Sequence, residues 1–176
     1  RSYEVLPIEE ALLLLDAGAL PRKAVSITFD DGYLELLEAA FPVLLDLRLP
    51  ATVFLVAEHV GSGLPFWWEE VAFRLGMLHK EAAIQSLRTI GLEVSVLRPG
   101  WIFKIIDALK GIPTRLREEF IGTLRESTGG VRLPRMSLNW EEVRKAQTWG
   151  ISFGSHSLTH PILPLLSDEA LERELR

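Results

Sequence analysis

Two short segments of this sequence carry side chains that could perform metal-assisted chemistry. Asp30 and Asp31 are adjacent and are followed by Gly32, while His156 and His160 are spaced four residues apart. Two imidazoles at that spacing lie on one side of a helical turn, where a metal ion can bridge them. The ordinary alternatives are a solvated Asp-Asp-Gly turn and a histidine pair with one exposed and one packed member.

Predicted strands bring the two segments together. A short strand over residues 24–29 ends at the aspartates, and another over 151–155 ends at the histidines. A helix over 34–47 and a buried strand over 51–56 complete a strand-helix-strand unit, so the sheet is predicted to be parallel. The active sites of α/β proteins lie at the carboxyl edge of such sheets. One carboxylate and two imidazoles suffice to hold a catalytic Zn²⁺, which leaves the second carboxylate free to act as a base.

The rest of the chain is predicted to be mainly helical. A first helix begins after Pro7 and ends near Gly18, and a last one over 168–176 is capped by Ser167. Between the second and third strands, helical periodicity and turn signals indicate five helices, over 67–77, 80–90, 102–110, 114–127 and 140–149. We therefore predict an α/β core over 1–60, a helical insertion over 61–150, and a continuation of the core over 151–176 that is truncated at its carboxyl end.

Composition narrows the class of protein. The chain has 176 residues, of which 48% are hydrophobic and 24% are charged, as in ordinary globular domains. A net charge of -5 without a concentrated basic patch argues against a nucleic-acid partner. The absence of cysteine leaves histidine and carboxylate as metal ligands. This segment has neither a signal peptide nor an apolar run of the ~20 residues that span a membrane, and its first residue, Arg1, suggests a fragment or a processed chain.

The segments over 28–33 and 156–161 resemble the first two signature motifs of the polysaccharide deacetylase family, the NodB-homology domain of carbohydrate esterase family 4. Residues 49–56 resemble the second strand of that family. The resemblance covers roughly 23–56 and 151–176. It implies a partial (β/α) barrel of the deacetylase type, with the helical insertion between its second and third strands. It also implies metal-dependent removal of N-acetyl groups from a hexosamine-containing polysaccharide.

The resemblance assigns a role to each motif residue. Asp31, His156 and His160 are expected to hold a divalent metal, with zinc as the default and Co²⁺ or Ni²⁺ as ions that suit the same donors. Asp30 is expected to be the general base. An N-acetylated glycan is the expected substrate, with chitin, peptidoglycan and exopolysaccharide all open, and a cell-envelope or extracellular location is favoured. The oligomeric state is left open.

This sequence also departs from the family pattern. The family has an Arg-Pro-Pro-Tyr-like strand and a late histidine after the histidine motif, and no such segments follow His160 here. Residues 98–101 look similar to the Arg-Pro-Pro-Tyr-like segment, but they precede the histidine motif, so no role is transferred to them. The catalytic acid and the oxyanion-stabilising residues are therefore expected beyond Arg176, and these 176 residues alone are expected to bind metal with little turnover. His59 and His79 fit no motif and are interpreted as ordinary helix or loop residues.

Two other functions stay open at this level. One is a non-catalytic carbohydrate-binding or regulatory module on the same scaffold, and the other is a metallo-amidohydrolase acting on a small amide. Five aromatic residues of the insertion could stack on sugar rings, although burial in a helical core is the favoured interpretation. They are Phe66, Trp67, Trp68, Trp101 and Phe103.

Overall fold

The fold is taken from a computed structural model of the chain, which describes residues 3–92 and 99–176. Within these residues, strands and α-helices follow one another in an α/β order, with the strands short and parallel. The strands are β1 (Glu4–Val5), β2 (Ala24–Val25), β3 (Thr28–Phe29), β4 (Ala51–Leu55) and β5 (Ile151–Ser155). The helices are α1 (Ile8–Asp16), α2 (Phe41–Leu47), α3 (Trp67–Met77), α4 (Lys80–Arg88), α5 (Trp101–Lys110), α6 (Thr114–Ser127), α7 (Trp140–Thr148) and α8 (Asp168–Leu175).

A three-stranded parallel sheet in the order β3-β4-β5 positions both motifs. Thr28 lies opposite Thr52 on the neighbouring strand, and β4 and β5 stay in register from Ala51 and Ile151 to Leu55 and Ser155. Strands β1 and β2 form a separate parallel pair. In the described residues the sheet does not close on itself. The predicted α/β class is confirmed, as are the short parallel strands of a partial barrel and the helical insertion between β4 and β5.

The single strand predicted over residues 24–29 is wrong. Its first part, β2, pairs with β1, and its second part, β3, pairs with β4. At the junction, the Ser26 hydroxyl donates a hydrogen bond to the Leu6 carbonyl at 2.9 Å, and the Thr52 N–H donates to the Ile27 carbonyl at 3.0 Å. The chain therefore changes its pairing partner between Ser26 and Ile27. The segment is also less buried than predicted, because Val25 and Thr28 are exposed.

The helix predicted over residues 34–47 is divided as well. A single 3₁₀ segment, Leu34–Leu37, precedes α2, and Pro42 lies in the first turn of α2. Proline is tolerated there because the first N–H groups of a helix have no intrahelical partner. The other predicted helices are present and differ from the structure by no more than two residues at either end. The observed bounds of α3, α6 and β5 are those predicted.

A buried apolar cluster fixes the sheet against its flanking helices. Phe41, Val53, Leu138 and Ala146 are fully buried at its centre. Helix α7 begins with a capping box in which the Asn139 side chain accepts from the Glu142 N–H, while the Glu142 carboxylate accepts from the Asn139 N–H. Such reciprocal caps define where a helix begins. The motifs are therefore attached to a sheet that is packed on well-defined helices.

The chain divides into two compact units, one made of Arg1–Leu64 with Arg135–Arg176 and the other of Pro65–Pro134. The second unit has its own helical core, with Leu75, Leu109 and Leu124 fully buried. The division into domains predicted over 1–60, 61–150 and 151–176 stays a prediction. None of the helices in the described ranges is long and apolar enough to cross a membrane.

The aromatic residues of the second unit differ in their exposure. Phe66 is buried and stacks on Trp68, with ring centroids 4.7 Å apart. The Arg117 guanidinium lies 4.6 Å from the centre of the Trp67 ring. Phe103, by contrast, is largely exposed on α5. Burial within the helical unit therefore accounts for Phe66, but it does not account for Phe103.

Candidate metal site

The aspartate motif leaves β3 through a tight turn. Asp31 and Gly32 both adopt left-handed backbone angles, with φ of 68° and 70°. The Gly32 N–H donates to the Asp30 carbonyl at 2.8 Å, and the Gly32 carbonyl accepts from the Leu138 N–H at 2.9 Å. Aspartate is among the few residues with a side chain that adopt this conformation readily. The turn leaves Asp30 exposed, whereas the Asp31 side chain is only 16% exposed.

Position 32 requires a residue that tolerates a left-handed backbone and that has no Cβ atom, and replacement of Gly32 by Ala tests both requirements. A Cβ at this position would lie 2.4 Å from the Leu55 Cδ2 atom, and the backbone is left-handed. We expect Gly32→Ala to lower the free energy of unfolding by about 2–4 kcal/mol, from overpacking and from the backbone penalty. Gly18→Ala is the matched control, because Gly18 has a φ of 66° and no atom of the described residues lies within 4 Å of the added Cβ.

Urea denaturation of both variants measures the difference. The control is expected to lose only the backbone contribution of about 1–2 kcal/mol. Equal losses for Gly32→Ala and Gly18→Ala would contradict the close approach of Gly32 to Leu55.

The histidine motif follows β5 and forms a loop. The His156 N–H donates to the Leu55 carbonyl at 2.8 Å and extends the pairing with β4 by one residue. Ser157 and His160 have left-handed φ angles of 61° and 59°, and the His160 N–H donates to Ser157 Oγ at 3.2 Å. The helical turn expected for this pair is therefore wrong. Two left-handed residues bring the rings together instead, with centroids 4.8 Å apart.

The predicted ligand residues meet at the carboxyl edge of the sheet. Asp31 Oδ1 lies 3.3 Å from His160 Nε2 and 3.7 Å from His156 Nε2. One donor atom from each of the three residues lies within 4.8 Å of the others. Two ligands bound tetrahedrally at about 2.0–2.1 Å lie roughly 3.3 Å apart. The donor atoms are therefore spaced closely enough for one small divalent ion to contact all three after slight side-chain movement.

A buried oxygen without a hydrogen bond supports the same interpretation. Asp31 Oδ1 is inaccessible to solvent and has no hydrogen-bond partner in the described residues. Buried carboxylate oxygens are normally paired, hydrogen-bonded or bound to a metal. The oxygen also faces Nε2 atoms on both imidazoles, and one carboxylate with two imidazoles is a donor set that suits Zn²⁺. The residues present therefore fit a divalent metal.

The electrostatics of Asp31 agree with that fit. Burial raises the pKa of the Asp31 carboxyl above its ordinary value of 3.8, and the negative Asp30 adds to the rise. The positive charges of His160 and His156 oppose it without cancelling it. A bound cation would favour the ionised carboxylate. In the metal-free protein, the ionised Asp31 side chain is therefore a destabilising feature.

This cost predicts that Asp31→Asn raises the Tm of the chelator-treated protein at pH 7. Because the folded-state pKa of Asp31 lies above 3.8, the ionised carboxylate destabilises the fold at any pH above both values, and the effect disappears below 3.8. Asparagine also tolerates the left-handed backbone. Each kcal/mol regained corresponds to about 2–4 °C for a chain of this size. A Tm below that of the unsubstituted protein at pH 7 would contradict the account.

His59 lies near this site, although it belongs to neither motif. Its ring is half-buried, and its Nδ1 atom lies 3.3 Å from the Leu64 carbonyl oxygen. Burial lowers the pKa of His59, and its charge interacts with those of His160 and Asp31. Its position in the sequence could have placed it near the site, because His59 follows the carboxyl end of β4 by four residues. His79 precedes α4 in the other unit, and Arg98 lies outside the described residues.

Comparisons with known proteins agree with the motifs. The family model described as polysaccharide deacetylase matches residues 17–176. Poly-beta-1,6-N-acetyl-D-glucosamine N-deacetylase of Staphylococcus epidermidis is 39% identical over 57 residues, which are 32% of this chain and 20% of that protein. The Staphylococcus aureus protein of the same name is 32% identical over 84 residues, or 48% of this chain and 27% of the relative. The aligned segments thus span about a quarter of these relatives or less.

A solved structure supports the fold. The Streptococcus pyogenes deacetylase PplD, in complex with acetate, superposes with a TM-score of 0.50 at 18% identity. The superposition covers 98% of this chain and 46% of that one. At this identity the likeness concerns the fold alone. The family model, by contrast, covers nearly the whole sequence, and on that ground the chain belongs to the polysaccharide deacetylase family.

Proposed function

We propose that this protein is a divalent-metal-dependent hydrolase that removes N-acetyl groups from a hexosamine-containing polysaccharide. The observation that carries the proposal is the buried Asp31 Oδ1 atom, which has no hydrogen bond within residues 3–92 and 99–176 and faces the Nε2 atoms of His156 and His160. Membership of the polysaccharide deacetylase family supports the reaction class.

Asp31, His156 and His160 would hold the metal, with zinc as the ion that best suits their donors. A divalent ion there would supply Lewis acidity toward the acetyl carbonyl and would acidify a water molecule. The histidine side of the site is open to solvent, since the side chains of His156 and His160 are 36% and 32% exposed. The Asp31 side chain is less exposed, at 16%, and its Oδ1 atom is inaccessible to solvent.

Asp30 is the residue proposed to move the proton. It is exposed, directly precedes Asp31, and is not part of the cluster of possible metal ligands. Its carboxylate can therefore accept the proton of the attacking water while Asp31 stays with the metal. A positioned general base of this kind contributes about 10²–10⁴-fold to a rate. The two neighbouring carboxylates thus have different roles because the turn at Gly32 gives them different environments.

Two staphylococcal relatives favour one polymer among those left open by the sequence. Both are named poly-beta-1,6-N-acetyl-D-glucosamine N-deacetylases. We therefore propose a β-1,6-linked N-acetylglucosamine polymer, an exopolysaccharide, as the first substrate to examine. Chitin oligomers, with a different linkage, and a small N-acetylated amide are the matched comparisons.

Acetate release tests this proposal in the full-length gene product. We expect release from β-1,6-linked N-acetylglucosamine oligomers in the presence of Zn²⁺, and loss of release after chelation. Release that survives thorough chelation would contradict metal dependence. Bound metal without release from any glycan would favour a non-catalytic carbohydrate-binding module, and a preference for the small amide would favour a metallo-amidohydrolase.

A further inference from the structure

We propose that Glu174, near the end of α8, is a positioning residue that holds the histidine loop in its metal-binding conformation. Its two carboxylate oxygens accept hydrogen bonds from the same residue, Thr159. One oxygen accepts from the Thr159 N–H at 2.8 Å, and the other accepts from the Thr159 hydroxyl at 2.7 Å. The Glu174 carbonyl also accepts from the Leu158 N–H at 3.1 Å. This inference rests on the proposed role of His160 as a metal ligand.

The loop between the two histidines needs external support. Ser157 and His160 are both left-handed, a conformation that costs free energy for residues with side chains and persists only where the surroundings impose it. The loop belongs to neither a helix nor a strand. Within the loop, Ser157 Oγ accepts a hydrogen bond from the His160 N–H at 3.2 Å. We expect contacts from outside the loop to help hold its left-handed residues in place.

Two parts of the chain supply those contacts: the residues just after β4 bind the carbonyl groups of the loop, and Glu174 of α8 binds its N–H groups. The carbonyls of Ser157 and Leu158 accept from the N–H groups of Ala57 and Glu58, just after β4. The N–H groups of Leu158 and Thr159 donate to Glu174. Residue Thr159 directly precedes His160, so Glu174 holds the chain one residue before a ligand. Glu174 supplies side-chain support to Thr159 through both of its carboxylate oxygens.

Helix stability does not explain a glutamate at this place. Glu174 lies in the last turn of α8, where the helix dipole disfavours a negative charge. Hydrogen bonds to an ionised carboxylate are, however, stronger than those between neutral groups. The Glu174 carboxylate is unfavourable for its own helix and makes two such bonds to the loop. We therefore infer that it stabilises the loop rather than the helix.

The test compares Glu174→Ala with Glu172→Ala, a matched control on the same helix whose carboxylate pairs with Arg176 instead of the loop. Co²⁺ is the probe, with affinity from calorimetry and ligand geometry from its visible absorption bands. We expect Glu174→Ala to weaken Co²⁺ binding by about 10–100-fold and to alter the bands. The control is expected to change neither. The Tm of each metal-free variant, measured beside its Co²⁺ affinity, separates loss of binding from loss of the fold.

A conservative variant separates positioning from simple destabilisation. Glutamine at position 174 can accept from the Thr159 N–H and donate to the Thr159 hydroxyl, so Glu174→Gln should keep Co²⁺ affinity within a few-fold. Should Glu174→Ala fail to fold, Thr159→Val removes the hydroxyl bond and is expected to weaken Co²⁺ binding measurably. Co²⁺ affinity equal to that of Glu172→Ala in every position-174 and position-159 variant would overturn the proposal. Absence of Co²⁺ binding by the unsubstituted protein would instead overturn the metal assignment itself.

Discussion

Asp30→Asn is expected to lower the rate of acetate release by about 10²–10⁴-fold while leaving metal bound. The substitution removes the basic carboxylate and keeps its size. Metal binding should survive, because the ligand cluster consists of Asp31, His156 and His160 and does not include Asp30. The measurements are kcat for acetate release and the metal content of the purified variant, both made on the full-length gene product.

The companion variant Asp31→Asn makes this prediction specific to one carboxylate. It is expected to lose both metal and activity, since it replaces the charged carboxylate that faces the two imidazoles with a neutral amide. If Asp30→Asn lost the metal while Asp31→Asn kept it, the roles of the two aspartates would be reversed. If both variants kept metal and activity, the aspartate motif would be no more than a turn.

His156→Ala is expected to weaken metal binding by more than about 100-fold, beyond the 10–100-fold that outer-shell changes cause. Catalytic zinc sites use three protein ligands and keep a position open for water, and this variant leaves only Asp31 and His160. The same loss is expected for His160→Ala. Equilibrium dialysis or calorimetry with Zn²⁺ measures the effect directly.

The control for the histidine variants is His79→Ala, which removes an imidazole from the other compact unit. It should retain full Zn²⁺ affinity. Retention of Zn²⁺ by His156→Ala at the level of His79→Ala would remove His156 from the ligand set. The Tm of each metal-free variant, measured beside its affinity, separates loss of a ligand from loss of the fold.

Left-handed backbone is concentrated at the proposed site. Among the described residues, five non-glycine residues have positive φ, and three of them are Asp31, Ser157 and His160. Such conformations cost free energy and persist where surrounding contacts over-determine them, often at functional sites. The buried Asp31 Oδ1 atom also has no hydrogen bond in the described residues. The left-handed residues and this oxygen together indicate that the geometry of the site lowers the stability of the fold.

The sequence predicted the local parts of this arrangement well. The periodicity of the helical unit predicted the bounds of α3 and α6, and the cap at Ser167 is present, with its side chain accepting from the Ala170 N–H. Because both motifs directly follow predicted strands, the sequence predicted that Asp31 lies close to both histidines, as it does in the structure. These features depend on neighbouring residues or on the shared edge of parallel strands.

The failures involve contacts between distant parts of the chain. Residues 24–29 divide between two sheets because β1 pairs with their first part and β4 with their second. The sequence predicted β4 but not the two-residue strand β1. The histidine spacing predicted a helical turn, whereas support from residues after β4 and from Glu174 holds a left-handed loop. Glu174 likewise reaches the histidine loop only through tertiary contacts.

The most direct test of the account is a crystal structure of the protein with Zn²⁺, using anomalous scattering at the zinc edge to locate the ion. We predict one strong anomalous peak about 2.0–2.2 Å from Asp31 Oδ1 and from the Nε2 atoms of His156 and His160. Asp30 should lie outside the coordination sphere. The proposed metal site would be contradicted by an ion that Asp30 coordinates in place of Asp31. It would also be contradicted by the absence of a peak at this edge of the sheet under conditions that saturate the protein with Zn²⁺.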